Sequence, residues 1–235
     1  MKAMKNYTKH LTLFLLAVSL VSCSKDDDAQ SQETNKLLER MNFVGNLVSF
    51  FYNEDNTIER FETANYSVGF AYTNNYVSSI VVDENEEYLF QYDTNGKIDY
   101  YSTNGQDFNV DYDSAAHTYS YEMPNGFDVS IELYDNDEVK RIIVKNLENV
   151  EVTNFLIFYD LNKKGPMYNS NSFKVQYYIA TTDESAVAYV SPKHPLQLFT
   201  INNQSFSFAN TYDEDGFVVR ADAGVDGVMD YFYSE

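Results

Sequence analysis

The sequence predicts an all-β domain, built as an antiparallel meander of hairpins that forms a strongly curved or closed barrel-like sheet. Three observations support this prediction. Short aromatic or β-branched runs alternate with turn dipeptides, one motif returns every 20 residues, and helical periodicity is nearly absent. Residues 36–41 are the one short stretch that favours a helix.

The turn dipeptides are pairs whose central residues accept a positive φ, as tight hairpin turns require. They are Asn95-Gly96, Asn104-Gly105, Asn125-Gly126, Asp215-Gly216 and Asp226-Gly227. So many pairs in one chain favour a meander over an α/β fold.

The 20-residue motif is an aromatic strand end. Its tyrosines are Tyr52, Tyr72, Tyr92 and Tyr112, and two places before each lies Phe50, Phe70, Phe90 or Val110. Alternate residues of a strand share a face, so these residues lie on one side of the sheet. The intervening residues, Phe51, Ala71, Gln91 and Asp111, lie on the other side. We therefore predict that the aromatic side is the core.

The first 22 residues have the anatomy of a secretory signal. A start containing Lys2, Lys5 and Lys9 precedes an apolar run over residues 11–21. This run is shorter than the roughly 20 apolar residues that a membrane-spanning helix needs. We expect cleavage after residue 22, which leaves roughly 210 residues, enough for one large β domain.

Cys23 is the single cysteine of the chain. It ends the segment Leu20-Val21-Ser22-Cys23, which resembles a bacterial lipobox. We therefore predict lipidation of Cys23, which makes the membrane its first partner. The alternative is a chance cysteine behind an ordinary signal.

A polar segment follows Cys23, and we assign residues 23–42 to a flexible acidic tether and residues 43–235 to a single β domain. The tether opens with Ser24, Lys25, Asp26, Asp27 and Asp28. This string resembles the export signal of Bacteroidetes surface lipoproteins, which implies an outer-membrane protein that faces the cell exterior. A plain solvated spacer on a periplasm-facing lipoprotein is the alternative.

Two Tyr-Asp-x-x-Gly segments, which begin at Tyr92 and Tyr212, carry a family resemblance. Together with residues 159–167, they resemble an uncharacterised family of Bacteroidetes lipoproteins with a porin-like β fold. Gly165 and Met167 depart from the family's Asn and Phe. The resemblance implies a fold and a phylum but no activity. The predicted strands are shorter than the 9 to 11 residues of spanning strands, so we expect a barrel-like sheet outside the bilayer.

Composition and motifs predict no catalytic residue, no metal site and no cofactor. Beyond the signal only His117 and His194 remain, and no known catalytic motif occurs. Residues 222–227 begin like a calcium loop, but Gly224 stands where that motif needs an acid or an amide. The formal charge of −20 excludes nucleic acid as a partner.

Two irregular segments, residues 160–172 and 183–195, interrupt the meander and carry the predicted binding site. Its residues are Lys163, Lys164, Tyr168, Lys193 and His194. Lysines in a very acidic protein would attract an anionic group, although they also serve to soften self-repulsion. The expected partner is a glycan, a peptide or an outer-membrane protein. We also expect one tyrosine of Tyr100-Tyr101 and one of Tyr177-Tyr178 to face solvent.

The sequence thus favours a non-catalytic binding or interaction module. Two alternatives remain open at this point. One is an enzyme that degrades an extracellular polymer with carboxylates. The other is a structural component of the surface coat.

Replacing Cys23 with Ala tests the anchor. The variant should remain uncleaved or be misplaced, because the lipid acceptor is gone, and it should leave the detergent phase in a phase-partitioning experiment. Partitioning equal to that of the parent would contradict lipidation at Cys23.

Overall fold

The structure, a computed structural model, describes residues 35–171 and 173–235. Within these residues, seventeen strands form one sheet, and two short helices follow the twelfth strand. The strands are β1 (Leu38–Phe43), β2 (Asn46–Tyr52), β3 (Ile58–Glu62), β4 (Ser67–Thr73), β5 (Tyr76–Val82), β6 (Glu86–Tyr92), β7 (Ile98–Thr103), β8 (Gln106–Asp113), β9 (Thr118–Glu122), β10 (Asp128–Leu133), β11 (Val139–Lys145), β12 (Glu151–Tyr159), β13 (Leu196–Ile201), β14 (Gln204–Ser207), β15 (Ala209–Tyr212), β16 (Val218–Asp222) and β17 (Val228–Tyr233). The helices are α1 (Lys174–Thr181) and α2 (Glu184–Tyr189), and a 3-10 turn covers Gly224–Asp226.

The sheet closes on itself. Successive strands pair antiparallel, and β1 lies between β2 and β17, with Met41 opposite Val48 on one side and Tyr231 on the other. β14 and β15 are two halves of one bent strand, because β14 pairs with β13 and β15 with β16. The predicted all-β, barrel-like meander is confirmed.

β8 changes partners in the same way as the bent strand β14–β15. Residues 106–109 pair with β7, whereas residues 110–113 pair with β9. These two bends divide the closed sheet into two curved faces, as in sheets whose corners are made by strands that switch sides.

The turns follow the predicted chemistry. Asn104 and Gly105 form a two-residue turn with φ values of 52° and 72°. The glycines of the other four predicted pairs also have positive φ, in longer turns. Two further tight turns, Asn74-Asn75 and Asn202-Asn203, use asparagine at both positive-φ positions.

The predicted face assignment is confirmed. Buried positions include Phe50, Phe70, Phe90 and Val110. Exposed positions include Ala71, Gln91 and Asp111. Phe51 is half-buried on the outer face, where the Arg60 guanidinium lies 3.8 Å from its ring centroid.

The repeat tyrosines lie half-buried at strand ends, and two of them tie neighbouring strands together. The Tyr52 hydroxyl donates to the Leu38 carbonyl at 2.8 Å, and the Tyr92 hydroxyl donates to the Val77 carbonyl at 2.6 Å. Burial raises the pKa of Tyr92 to about 12. Each hydroxyl thus satisfies a carbonyl near the end of the adjacent strand.

Residues 36–41 do not form a helix, and the predicted tether extends too far, because Leu38–Phe43 is β1. Leu38 and Met41 are buried, while Glu39 and Arg40 are exposed. This spacing matches one helical turn, but a bulge between Leu38 and Arg40 produces the same spacing in a strand. Pairing with β2 and β17 therefore determines that residues 38–43 form a strand.

The second correction concerns residues 173–190, which we name the plug. The sequence suggested a strand around Tyr177 and Tyr178 with one ring exposed, but both lie in α1 and both are 1% exposed. Helix α1 is buried on nearly all sides, as expected of a helix inside a core. Tyr100-Tyr101 does lie in a strand, with Tyr101 buried and Tyr100 half-buried.

Rings from distant parts of the sheet contact the plug. The Phe173 ring lies 4.9 Å from Phe70, between centroids, and the Tyr177 ring lies 5.5 Å from Phe61. Across the interior, the Tyr231 hydroxyl donates to the Tyr189 carbonyl at 3.3 Å. The plug therefore occupies the interior of the closed sheet.

The stability cost of core truncation tests this arrangement. Phe90→Ala should lower the free energy of unfolding by about 3–5 kcal/mol, because it removes a buried ring. Gln91→Ala, its outward-facing neighbour, should cost less than about 0.5 kcal/mol. Urea unfolding of the mature chain measures both, and equal small losses would place Phe90 outside the core.

Candidate functional site

The five predicted binding residues lie together at one end of the closed sheet. We call it the anchor end, because Lys36, the second described residue, contacts Asp213 and Phe217 there. The Gly165 amide donates to the Lys193 carbonyl at 2.7 Å, and the Met167 amide donates to the Pro192 carbonyl at 3.0 Å. These hydrogen bonds bring the two irregular segments side by side.

The lysines of this end lie over aromatic rings. Lys164 Nζ is 4.8 Å from the Phe217 ring centroid and 5.1 Å from that of Tyr168, and Lys163 Nζ is 4.9 Å from the Tyr212 ring. Both lysines are half-buried, so their aliphatic stems cover the rings. Within the described residues, neither lysine forms an ion pair.

Acidic groups accompany these lysines. Lys36 Nζ lies 2.8 Å from Asp213 and 2.6 Å from Asp215, and hydrogen bonds to these two carboxylates raise the pKa of Lys36 to about 12. The Tyr212 hydroxyl lies 3.2 Å from an Asp160 carboxylate oxygen. The anchor end is therefore a mixed surface and not the isolated basic island that the sequence suggested.

A buried ionic cluster lies beneath this surface, and sequence reasoning missed it. Glu138 and Lys174 are 1% and 2% exposed, and the Lys174 ammonium donates to the Glu138 carboxylate. The other carboxylate oxygen of Glu138 accepts a hydrogen bond from the Lys193 amide at 2.8 Å. The same oxygen lies 3.2 Å from His194 Nδ1. The chain has 36 acidic residues, and nothing in the sequence distinguishes Glu138 from the others.

The cluster connects the plug to the β10–β11 turn. Burial by itself raises the pKa of Glu138, but Lys174 and His194 together outweigh it, so this pKa lies below its ordinary value of 4.5. The carboxylate accepts hydrogen bonds from Lys174, near the start of the plug, and from the Lys193 amide, just after its end, and it lies beside His194. Its contacts therefore hold the plug in position.

A second feature that the sequence did not reveal is an open cleft of about 740 Å³ on the outer face, beside the bend in β8. We call it the β8 cleft. Its outward side chains come from β8 to β11 and the following turn: Asp107, Asn109, Asp111, Ser120, Glu122, Asp128, Ser130, Ile143, Lys145 and Asn149. Its volume lies within the range of about 300–1,000 Å³ that is typical of ligand sites.

The cleft exists because the β8–β9 ladder stops early. The pairing runs from Asp113–Thr118 only to Val110–Tyr121. Continued in register, it would place Pro124 opposite Asp107, and proline has no amide hydrogen to donate. Pro124 is thus the one sequence signal that could have indicated the opening.

Tyr101 supports the open end from below. Its ring stacks on Phe108, with 4.9 Å between centroids, and meets Tyr121 edge-on at 5.8 Å. Its hydroxyl donates to the Glu122 carbonyl at 3.1 Å. The Glu122 carbonyl, which would bond to β8 in a continued ladder, therefore accepts a tyrosine hydroxyl instead.

The chemistry of the cleft is hydrogen bonding and negative charge. The carboxylates of Asp107, Asp111, Glu122 and Asp128 are all exposed, and Lys145 is the single base among the lining residues. Such a surface can accept hydrogen bonds and attract cations or basic groups.

The remaining sequence candidates have other placements. His117 lies in the β8–β9 turn with φ 50° and contacts Asp135 at 3.9 Å. Across the described residues, no group of three or more His, Cys, Asp and Glu side chains could hold a metal ion. In the same residues, no helix is long and apolar enough to cross a membrane. Cys23 and the segment from Ser24 to Asp28 lie outside the described residues.

Comparisons with known proteins leave the description of this chain unchanged. No protein-family model and no curated protein matches the chain. Among solved structures, a porin-like protein from Bacteroides uniformis ATCC 8492 is similar over 84% of this chain and 98% of its own, with 10% identity and a TM-score of 0.36. At that level of similarity, nothing about function is carried over from it.

The buried cluster predicts a stability effect. Glu138→Ala leaves the Lys174 ammonium buried without its carboxylate and should cost about 3–5 kcal/mol of unfolding free energy. The double variant Glu138→Leu/Lys174→Met should recover most of that loss. Asp137→Asn, at an exposed neighbour whose positive φ of 60° asparagine tolerates, serves as the control and should stay within about 0.5 kcal/mol.

The same cluster predicts a pH dependence. Because folding lowers the pKa of Glu138, its contribution is complete above its ordinary value of 4.5 and is lost as pH falls through the lower folded value. The double variant should therefore lose less stability than the parent in acid. Parallel curves for the two proteins would contradict this role of Glu138.

Proposed function

We propose that the chain is a lipid-anchored, non-catalytic binding module of the outer membrane, and that the β8 cleft is its recognition surface. The proposal rests on where the molecule has open space that a ligand could enter. The plug fills the interior, whereas the β8 cleft is open, polar and on the outer face. A ligand can reach this surface without any rearrangement of the core.

The anchor follows from the N-terminal segment. Lipid on Cys23 would be separated from Leu38, where β1 begins, by a link that reaches at most roughly 50 Å when extended. The segment from Ser24 to Asp28, which contains three consecutive aspartates, supports display on the cell exterior. In this arrangement the anchor end faces the membrane, and the cleft on the side of the sheet remains accessible.

The exposure of the cleft carboxylates favours binding over hydrolysis. A carboxylic acid that protonates a leaving group must be shielded from water, so that it keeps its proton near neutral pH. Asp107, Asp111, Glu122 and Asp128 are exposed. A polymer-degrading enzyme would require a more enclosed pair. A purely structural coat protein would leave the cleft unused.

A glycan and peptide array, probed with the mature chain from residue 24, tests the proposal. Binding should weaken about tenfold in Asp107→Asn/Asp128→Asn, because two cleft charges are removed. It should persist in the matched variant Lys163→Ala/Lys164→Ala/Lys193→Ala, which removes charges from the anchor end.

The opposite pattern would place the site at the anchor end, as the sequence suggested. Absence of binding to every array member would favour the structural role. Turnover of any glycan by the parent protein would favour the enzyme.

A further inference from the structure

We propose that the β8 cleft binds an extended basic peptide segment, which adds to the free edge of β8 as a strand. This inference rests on the proposed binding function and names its partner. It depends on three features of the cleft: an unpaired strand edge, structure that keeps this edge open, and acidic side chains along it.

Among the strands that the structure describes, the first half of β8 has a neighbour on one side only. Its pairing with β7 runs from Thr103–Gln106 to Tyr100–Asn109, while its pairing with β9 begins at Val110. Residues 106–109 therefore present one backbone edge to the cleft.

The register shows which backbone groups form that edge. The two-residue turn makes Thr103 and Gln106 a doubly hydrogen-bonded pair, and such pairs alternate with non-bonded pairs along an antiparallel ladder. The amides and carbonyls of Asp107 and Asn109 consequently point away from β7. The Asn109 carbonyl is already used by β9, because the non-bonded pair Val110–Tyr121 is flanked by a hydrogen bond from the Glu122 amide to this carbonyl. The free groups of the edge are therefore the amide and carbonyl of Asp107 and the amide of Asn109.

Across residues 35–171 and 173–235, no strand pairs with these free backbone groups. Continued register would place Glu122 opposite Asn109, but the Glu122 carbonyl accepts the Tyr101 hydroxyl instead. Pro124, the residue that would oppose Asp107, cannot donate an amide hydrogen. The Met123 amide bonds to the Phe127 carbonyl at 2.8 Å, within the next turn. The end of β9 therefore forms hydrogen bonds with Tyr101 and within its own turn, and its ladder with β8 does not continue.

A free strand edge is a template for a further strand, and peptide recognition by strand addition uses such edges. Main-chain hydrogen bonds provide affinity in this mode, and alternate side chains provide selectivity. Two outward-facing residues, Asp107 and Asn109, would flank every second side chain of the added strand.

Charge selects the kind of strand. Four exposed carboxylates surround the edge, so a second copy of this chain, with a formal charge of −20, would bring acid against acid. A segment with lysine or arginine at alternate positions places cations beside Asp107, Asp111 and Glu122. The fitting partner is therefore a basic, extended peptide segment.

Fluorescence anisotropy with a defined probe tests the inference. The probe is a blocked, fluorescein-labelled octapeptide of alternating lysine and threonine, added to the mature chain from residue 24. Two further peptides carry N-methyl groups on the lysine amides or on the threonine amides. One of these two should bind about tenfold more weakly than the parent peptide, because it lacks the amides that face β8.

Protein variants separate strand pairing from charge. Asn109→Pro removes an amide that faces the cleft and leaves the β7 ladder intact, so it should weaken binding about tenfold. Asp107→Asn/Asp128→Asn should weaken binding and its dependence on salt. Asp99→Asn, on the neighbouring strand outside the cleft, should bind like the parent.

Circular dichroism and thermal melting establish that Asn109→Pro is folded. If it is not, the N-methylated peptides decide the question, because they leave the protein unchanged. Equal binding of all three lysine peptides would mean adhesion by charge alone and would overturn the strand pairing. Binding of cellohexaose at the cleft without peptide binding would overturn the peptide partner but leave the proposed binding function standing.

Discussion

A sheet that closes after this many strands encloses more space than its own inward side chains can fill. Barrels of about eight strands are filled by side chains, whereas barrels of 16 to 18 strands leave a channel. Here the plug occupies that space, and its rings contact strands as far apart in the sequence as β4 and β17. The plug covers part of the inward aromatic face of the meander and shields it from water. Sheet and plug therefore depend on each other, and the excursion between β12 and β13 is part of the core.

Apolar contacts alone would not give the plug one position, because they are non-directional. The buried contact between Glu138 and Lys174 is directional. Glu138 lies on the meander, Lys174 begins α1, and the Lys193 amide returns from the far end of the plug to the same carboxylate. A buried ion pair adds little net stability but can fix geometry. In this fold it sets where the plug enters and leaves the interior, and the anchor end is closed by the segments around it.

Local chemistry explains why the turns and the core face could be predicted from the sequence. Asn104-Gly105 specifies its turn, and the alternation around Phe90 and Gln91 specifies its faces, without reference to distant residues. The conformation of Leu38 depends instead on pairing with β17 at the other end of the chain. Tyr177 and Tyr178 have side chains typical of strands, but inside the closed sheet no strand edge is free to pair with them. A helix, which satisfies its own backbone, is the solution there. The five predicted binding residues lie close together, and the acids beside them come from turns that the sequence treats as ordinary.

The two bends of the sheet show that the β8 cleft is not an unavoidable result of closure. At the bend between β14 and β15, the Phe208 amide donates to the Gln197 carbonyl at 2.9 Å, and the Asn210 side-chain amide donates to the Leu196 carbonyl at 2.8 Å. That bend is sealed against β13. At β8, by contrast, the ladder stops before the position of Pro124, and no strand in the described part of the chain pairs with the remaining edge. Natural sheets usually cover or blunt such edges, because they promote aggregation. An edge that is left open and surrounded by carboxylates, which repel copies of the same acidic chain, has the properties expected of a surface reserved for a different partner.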